Sequence, residues 1–319
     1  MKALRMTAAG REPVLQDVEM PAPGPGEVRL AVRAAGLNFA DLLMIGGSYQ
    51  DTPGMPFTLG LEAAGIVDAV GPGVTAPAPG TRVAATMRCG ALAGFAIVAA
   101  EHCTTLPEGV AFEQAAASQI AYGTAHLSLS RRAALAPGET LLVLGASGGA
   151  GLAAVEVGRL MGARVVACAR GRRKAAAAAA AGAETVLDSD APDLRDRLRD
   201  LGGVDVVFDA VGGQRTLDAL GACRPEARLL LIGFASGTVP QIKANHLLVK
   251  NVSAMGFYWG AYRGFAPAAL SDSLARIFGW IAAGRLNPHL DRVLPLDRTR
   301  EGLEALRGRR VTGKIVVTP

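Results

Sequence analysis

The feature that most constrains this fold is an apolar run that stops in a glycine-rich turn and restarts as a helix. Leu141-Leu142-Val143-Leu144 reads as a buried strand. Gly145, Gly148 and Gly151 follow at G-x-x-G-x-x-G spacing, with Gly149 beside them, and Leu152-Ala153-Ala154-Val155-Glu156-Val157 is apolar and helix-forming. Such a turn needs glycine because it is tight, and because a side chain would keep the N–H groups at the helix N-terminus away from a pyrophosphate. A strand before and a helix after are the context that separates a dinucleotide site from an ordinary turn.

Around this motif the chain divides by pattern. Apolar strands are predicted at Thr140–Leu144, Arg164–Ala169, Thr185–Asp188, Val204–Ala210 and Arg228–Gly233. Helical segments lie between them, at a spacing of about 20 residues that suits a parallel sheet with crossover helices. The seven alanines from Ala175 to Ala181 belong to such a helix, and Asn251 to Tyr258 closes the sheet. The first ~115 residues read as all-β. Val28 to Gly36 and Gly65 to Gly71 alternate as half-buried strands, punctuated by Pro72-Gly73, Pro77, Pro79-Gly80 and Pro107. Glu113 to Ser130 is helix-like, and Leu270 to Ala283 is an amphipathic helix. Gly313 to Thr318 has strand character again and returns to the N-terminal domain.

Composition excludes several classes. Half of the 319 residues are hydrophobic and only 5% are aromatic, so the core rests on Ala, Val and Leu. No run reaches the ~18 apolar residues of a membrane span, and the N-terminus has no signal-peptide core; a cytoplasmic protein is expected. The net charge of +5 comes from 28 Arg and 5 Lys. These are scattered except at Arg170, Arg172, Arg173 and Lys174 and at Arg307, Arg309 and Arg310. Without aromatic interleaving or a recognisable module, no nucleic-acid partner is expected. Cys89, Cys103, Cys168 and Cys223 are widely spaced, which fits reduced thiols rather than a zinc knuckle or a disulfide framework.

The end of the second parallel strand selects the dinucleotide. An acidic residue there usually holds the adenosine ribose of NAD; this chain instead has Ala169-Arg170-Gly171-Arg172-Arg173-Lys174. Cations can grip a 2′-phosphate through charge-assisted bonds, which favours NADPH. The other reading is that they decorate an exposed turn.

Four segments carry a resemblance that spans essentially the whole chain and keeps its order. They are Gly36-Leu37-Asn38-Phe39-Ala40-Asp41, Leu59-Gly60-Leu61-Glu62-Ala63-Ala64-Gly65, the glycine turn, and Thr312-Gly313-Lys314-Ile315-Val316. Arg82-Val83, Leu106-Pro107 and Phe208-Asp209-Ala210-Val211-Gly212-Gly213 fit as well. With them the chain resembles the medium-chain dehydrogenase/reductase superfamily, and within it the zinc-free NADPH:quinone oxidoreductases. The resemblance implies an α/β protein with two domains. One is a GroES-like, β-rich catalytic domain made of residues 1–118 and 262–319. The other is a Rossmann doubly wound parallel sheet over residues 119–261. A homodimer is implied too.

Zinc-dependent members have a cysteine ligand where Asn38 stands and Gly-His-Glu where this chain has Gly60-Leu61-Glu62; their four-cysteine lobe is missing here. Catalytic zinc takes three Cys, His or carboxylate donors, so no zinc is expected. Glu62 is read as a structural carboxylate near the cofactor pocket.

The implied activity is NADPH-dependent reduction of a small-molecule quinone or similar enone. The alternatives are an enoyl-thioester reductase and an NADPH-binding protein with little catalysis. The resemblance places Asn38 and Asp41 at the substrate carbonyl, where a donor would stabilise developing charge, although Asp41 fits equally a helix N-terminal carboxylate. Tyr49 is either a further donor or a rim aromatic. Ser147, Gly148, Gly149 and Ala150 fall on the pyrophosphate. Lys174, with Arg170 and Arg173, falls on the 2′-phosphate. Thr124 faces the nicotinamide side, and Gly233, Phe234 and Ser236 line the crevice after the fifth strand.

Overall fold

The computed structural model describes residues 1–319. They form two compact units, Met1–Ile120 with Leu274–Pro319, and Ala121–Ser273. Both crossings fall inside helices, Phe112–Leu127 and Pro267–Ala282. The sequence reading set them at 118/119 and 261/262; a continuous helix offers no turn residue or change of composition to mark the crossing.

In chain order the N-terminal strands are β1 (Lys2–Met6), β2 (Val14–Asp17), β3 (Glu27–Gly36), β4 (Phe57–Thr58), β5 (Glu62–Val70), β6 (Arg82–Thr86), β7 (Phe95–Ala99) and β8 (Cys103–Thr105). Helix α1 (Phe39–Ile45) follows β3, and α2 (Phe112–Leu127) follows β8. The middle of the chain alternates β9 (Thr140–Leu144), α3 (Gly149–Leu160), β10 (Arg164–Ala169), α4 (Gly171–Ala180), β11 (Thr185–Asp188) and α5 (Leu194–Asp200). It continues through β12 (Val204–Asp209), α6 (Gln214–Ala222), β13 (Cys223–Leu231), α7 (Ala244–Lys250) and β14 (Ser253–Gly256). Helices α8 (Tyr262–Phe265) and α9 (Pro267–Ala282), strand β15 (Leu290–Pro295), helix α10 (Thr299–Arg307) and strand β16 (Lys314–Thr318) complete it.

The first unit holds a seven-stranded sheet, β15-β16-β3-β5-β6-β8 with β7 also on β3, and a three-stranded sheet, β2-β1-β4. Strand β3 shows why the sequence folds this way. Val28, Leu30 and Val32 point inward at period two while Glu27, Arg29 and Ala31 stay partly exposed. The inward set packs with Leu37, Leu59, Leu61, Val83, Leu92, Ile315 and Val317. The last strand, β16, runs antiparallel to β3, with Val316 opposite Gly36 and Val317 opposite Ala35.

This unit is not all-β before residue 115, as its sequence suggested. Phe39-Ala40-Asp41-Leu42-Leu43-Met44-Ile45 forms α1. Seven residues make only two turns, too short for helical periodicity to stand out from an apolar strand. Its real signal is the pair Asn38 and Asp41 at N-cap and N3.

The second unit is one parallel sheet in the order β11-β10-β9-β12-β13-β14. In order of appearance that is 3-2-1-4-5-6, so the winding direction changes between β9 and β12. Strands buried on both faces need continuous apolar runs, and β9 is buried at every position. Leu142, Leu144, Val166, Val207 and Leu229 from the sheet pack with Leu194, Leu198 and Leu220 from the helices. Strand β13 begins five residues before its expected start and ends at Leu231, so Ile232 and Gly233 belong to the loop after it. No helix of either unit is long and apolar enough to cross a membrane.

Candidate functional site

In the second unit every sequence-selected residue except Thr124 sits in a turn at the carboxyl end of a parallel strand or in the first turn of the helix that follows. Gly145 to Gly148 follow β9 and deliver the chain to α3. Gly145 has φ of +73°, a left-handed conformation that costs glycine little. A Cβ on Gly151 would overlap the Gly145 carbonyl, so helix and turn touch backbone to backbone. The first helical bond runs from the Leu152 N–H to the Gly148 carbonyl, 2.8 Å. The N–H groups of Gly149, Ala150 and Gly151 precede it and have no acceptor inside the helix. They point, with the helix dipole, at whatever anion lies there. Ser147 is buried beside them, while Gly148, Gly149 and Ala150 are half-buried. The turn is tied to the next strand by the Ala146 N–H, 3.0 Å from the Cys168 carbonyl.

The cationic turn follows β10, the strand next to β9. Arg170 is the N-cap of α4, Arg172 and Arg173 are exposed in its first turn, and Lys174 is half-buried. Arg170 is already paired: its guanidinium meets both oxygens of Asp190, at 2.7 and 2.8 Å. The same turn carries Arg172, Arg173 and Lys174. After β13, Gly233 and Ser236 are half-buried and Phe234 is exposed. Thr124 is buried on α2 rather than in one of these turns.

In the first unit Asn38, Asp41 and Tyr49 surround α1, and their surroundings change the reading of two of them. Lys314 on β16 is 4% exposed and Glu62 on β5 is fully buried; their charges meet at 2.8 Å. The ammonium uses all three of its donors, on the Leu37 carbonyl at 2.7 Å, Asn38 Oδ1 at 2.7 Å and Glu62 Oε1 at 2.8 Å. The Asn38 Nδ2 group donates to Glu62 Oε1 at 2.8 Å and to the Gly36 carbonyl at 3.3 Å. Because Lys only donates and carboxylate only accepts, the orientation of the Asn38 amide is dictated. Glu62 Oε2 takes the Ile120 N–H at 2.8 Å.

Asn38 was expected to donate to a substrate carbonyl, but both of its amide hydrogens are used inside the protein. Asp41 was expected beside it. Its side chain is wholly buried, with Oδ2 accepting the Asn38 N–H at 2.8 Å and Oδ1 making no hydrogen bond. It is a helix N-terminal carboxylate. Burial pushes its carboxyl up to about 7, against the pull of the Asn38 amide and the Lys314 charge.

Tyr49 stands in the loop after α1, half-buried, with its ring against the core. Thr52 Oγ1 donates to its carbonyl at 2.7 Å, and Arg88 holds the neighbouring Asp51 at 2.7 Å. Sequence reasoning missed Lys314. Its signal was a cation opening the apolar strand Lys314-Ile315-Val316-Val317, a place where charge needs a buried partner.

The residues present do not fit a zinc ion. Asn38 and Leu61 occupy the positions that would bear ligands, and nowhere do three His, Cys, Asp or Glu side chains group as metal ligands do.

Comparison with known proteins agrees with this geometry. Residues 24–124 match the alcohol dehydrogenase GroES-like domain family, and residues 149–275 match the zinc-binding dehydrogenase family. Quinone oxidoreductase-like protein 2 of Bos taurus is 37% identical over 309 residues, which cover 96% of this chain and 88% of the relative. A mycobacterial protein solved in complex with NADPH is 31% identical, with a TM-score of 0.92 and all of both chains covered. The quinone oxidoreductase of Thermus thermophilus, solved with and without NADPH, is 34% identical at a TM-score of 0.89, again over the full length of both.

Two outcomes follow. Gly151→Ala forces the helix off the turn and should weaken dinucleotide binding by about five- to a hundredfold, since displaced backbone costs ~1–3 kcal/mol. Unchanged affinity in a titration of the variant would contradict the backbone contact. For Asp41 the folded carboxyl titrates above its unfolded value of ~3.9. Between about pH 4 and 7 the folded state therefore binds the extra proton, and stability falls as pH rises through that window. Asp41→Asn should flatten that slope in denaturant titrations, lying nearest to wild type below about pH 4 and gaining on it by pH 8.

Proposed function

The chain belongs to the zinc-independent, quinone-oxidoreductase-like branch of the medium-chain dehydrogenase/reductase superfamily, and on that premise we propose that it reduces quinones or similarly activated enones with NADPH. The observation that carries this reading is the full-length match to NADPH complexes combined with the glycine turn and the replaced zinc donors.

The residues present suit NADPH. Ser147, Gly148, Gly149 and Ala150 are assigned to the pyrophosphate, because unsatisfied N–H groups at a helix N-terminus favour an anion. Lys174, with Arg170 and Arg173, is assigned to the 2′-phosphate; Arg170 is the N-cap of that helix and meets Asp190. Gly233, Phe234 and Ser236 are assigned to the crevice after β13, and Thr124 to the nicotinamide side. Bound there, NADPH supplies the hydride.

The chain's own part is to bind, orient and exclude water. A quinone carbonyl is already electrophilic and needs little polarisation, which accords with an Asn38 amide that has no donor to spare. Asn38 and Asp41 are therefore positioning residues: the first locks the entry to α1 to β16 and β5, the second caps the helix. Tyr49 is the phenol assigned to the substrate carbonyl.

The homodimer reading has support in the second unit. Strand β14 ends its sheet with one neighbour only, and the preceding α7 leaves Leu248 and Val249 at 75% and 70% exposed. An unpaired edge and an exposed apolar patch are surfaces a second copy would cover.

Purified, chelator-treated protein should oxidise NADPH in the presence of para-benzoquinone, prefer NADPH to NADH, and lose no activity to the chelator. Faster turnover of a short 2-enoyl-CoA would reassign the protein to enoyl-thioester reduction. NADPH binding with neither acceptor reduced would refute the substrate class. In light-scattering chromatography the wild type should run as a dimer and Leu248→Glu with Val249→Glu as a monomer; a monomeric wild type would remove the dimer reading.

A further inference from the structure

Asp209 ends β12, beside the point where the sheet changes its winding direction, and it is completely buried. Its carboxylate serves one turn. The N–H groups of Val211 and Gly212 donate to Oδ1 at 2.8 and 2.9 Å, and the Thr216 hydroxyl, equally buried, donates to Oδ2. Its own carbonyl takes the Ile232 N–H at 2.8 Å and the Gly233 N–H at 3.3 Å. The ladder then continues past the sheet, with Ala235 N–H on the Ala210 carbonyl at 3.1 Å and Ser236 N–H on the Val211 carbonyl at 2.8 Å.

The turn that Asp209 shapes is interlocked with both neighbours. A Cβ on Gly145 would lie 2.9 Å from Val211 Cγ2, so the glycine turn after β9 rests on Val211. A Cβ on Gly212, which has φ of +76°, would lie 2.7 Å from the Thr238 carbonyl and 3.0 Å from the Phe234 ring. Burying a carboxylate is expensive. An apolar side chain would fill the space but would leave two turn N–H groups and a buried hydroxyl unsatisfied.

We propose that Asp209 is the positioning residue for the nicotinamide half of the cofactor site, acting through the Val211-Gly212 turn and the Gly233–Ser236 loop. The proposal rests on the NADPH reading. A doubly wound dinucleotide fold has two mononucleotide halves. The half built on β9, β10 and β11 carries the cations at 170–174 and takes the adenosine side. The half built on β12, β13 and β14 takes the other, and Asp209 sets the loops at its carboxyl ends.

The test compares NADPH with adenosine 2′-monophosphate, which keeps the adenosine and 2′-phosphate and places no phosphate on the glycine turn, by fluorescence and calorimetric titration of the whole protein. Asp209→Ala should weaken NADPH at least about tenfold and leave the monophosphate within about twofold. Asp209→Asn keeps an oxygen for Val211 and Gly212 and can donate to Thr216, so it should restore NADPH to within about threefold of wild type. If Asp209→Ala does not fold, Thr216→Val carries the same test, with a loss of about threefold confined to NADPH. Equal loss of both ligands would show general damage to the sheet and overturn the proposal, as would unchanged NADPH affinity. Wild-type protein that binds neither ligand would instead refute the NADPH reading itself.

Discussion

The buried pair of Lys314 and Glu62 holds the first unit together across the length of the chain. Taking two charges out of water costs several kcal/mol per ion unless every donor and acceptor is matched. Here the ammonium has its three acceptors, and Glu62 answers with Lys314, Asn38 and the Ile120 amide. One point thereby joins the last strand, the β3–α1 junction, β5 and the middle of helix α2. The apolar pairing of β16 with β3 supplies adhesion but little register, since Ile315, Val316 and Val317 are nearly interchangeable in shape. The ammonium has one place to go, and it fixes the strand by going there.

The same logic recurs at smaller scale. Asp41 holds the entry to α1, and Asp209 holds the exit of β12; each is fully buried and each accepts backbone N–H groups from a turn. Their electrostatic settings differ. Asp41 lies near both Lys314 and Glu62, and burial outweighs the help it receives, so its carboxyl is pushed up to about 7. Buried carboxylates in this chain thus specify backbone geometry at loops, where apolar packing has no directional preference.

The second unit was the more legible part of the sequence, and the reason is periodic. Strands buried on both faces must be continuous apolar runs, and crossover helices must separate them; β9, β10 and β11 stand residue for residue where those runs predicted them. The first unit is harder to read. Helix α1 is too short to show its period, and the resemblance of its segment to a family active-site segment drew its capping pair, Asn38 and Asp41, toward the substrate carbonyl, with the helix-cap role of Asp41 as the alternative. Lys314 carried a visible signal, a charge opening an apolar strand, but its partner lies 252 positions away, and no local pattern reports such a pairing. Asp190 was invisible for the same reason: nothing near Arg170 in sequence shows that its guanidinium is occupied.

These misreadings bear on how a member of this branch works without a metal. At the position where zinc-dependent relatives carry a ligand, Asn38 turns its oxygen to Lys314 and its amide hydrogens to Glu62 and Gly36. That side chain has no free donor for an oxyanion. A saturated amide is a poor Lewis-acid substitute, so a carbonyl that needs strong activation would find little of it from Asn38. A quinone supplies its own electrophilicity, and what it requires is a rigid wall and an oriented cofactor. Rigidity is what the Lys314 cluster provides in the first unit and what the interlocked turns after β9, β12 and β13 provide in the second. An Asn38 amide with no donor to spare accords with acceptors already disposed to take a hydride.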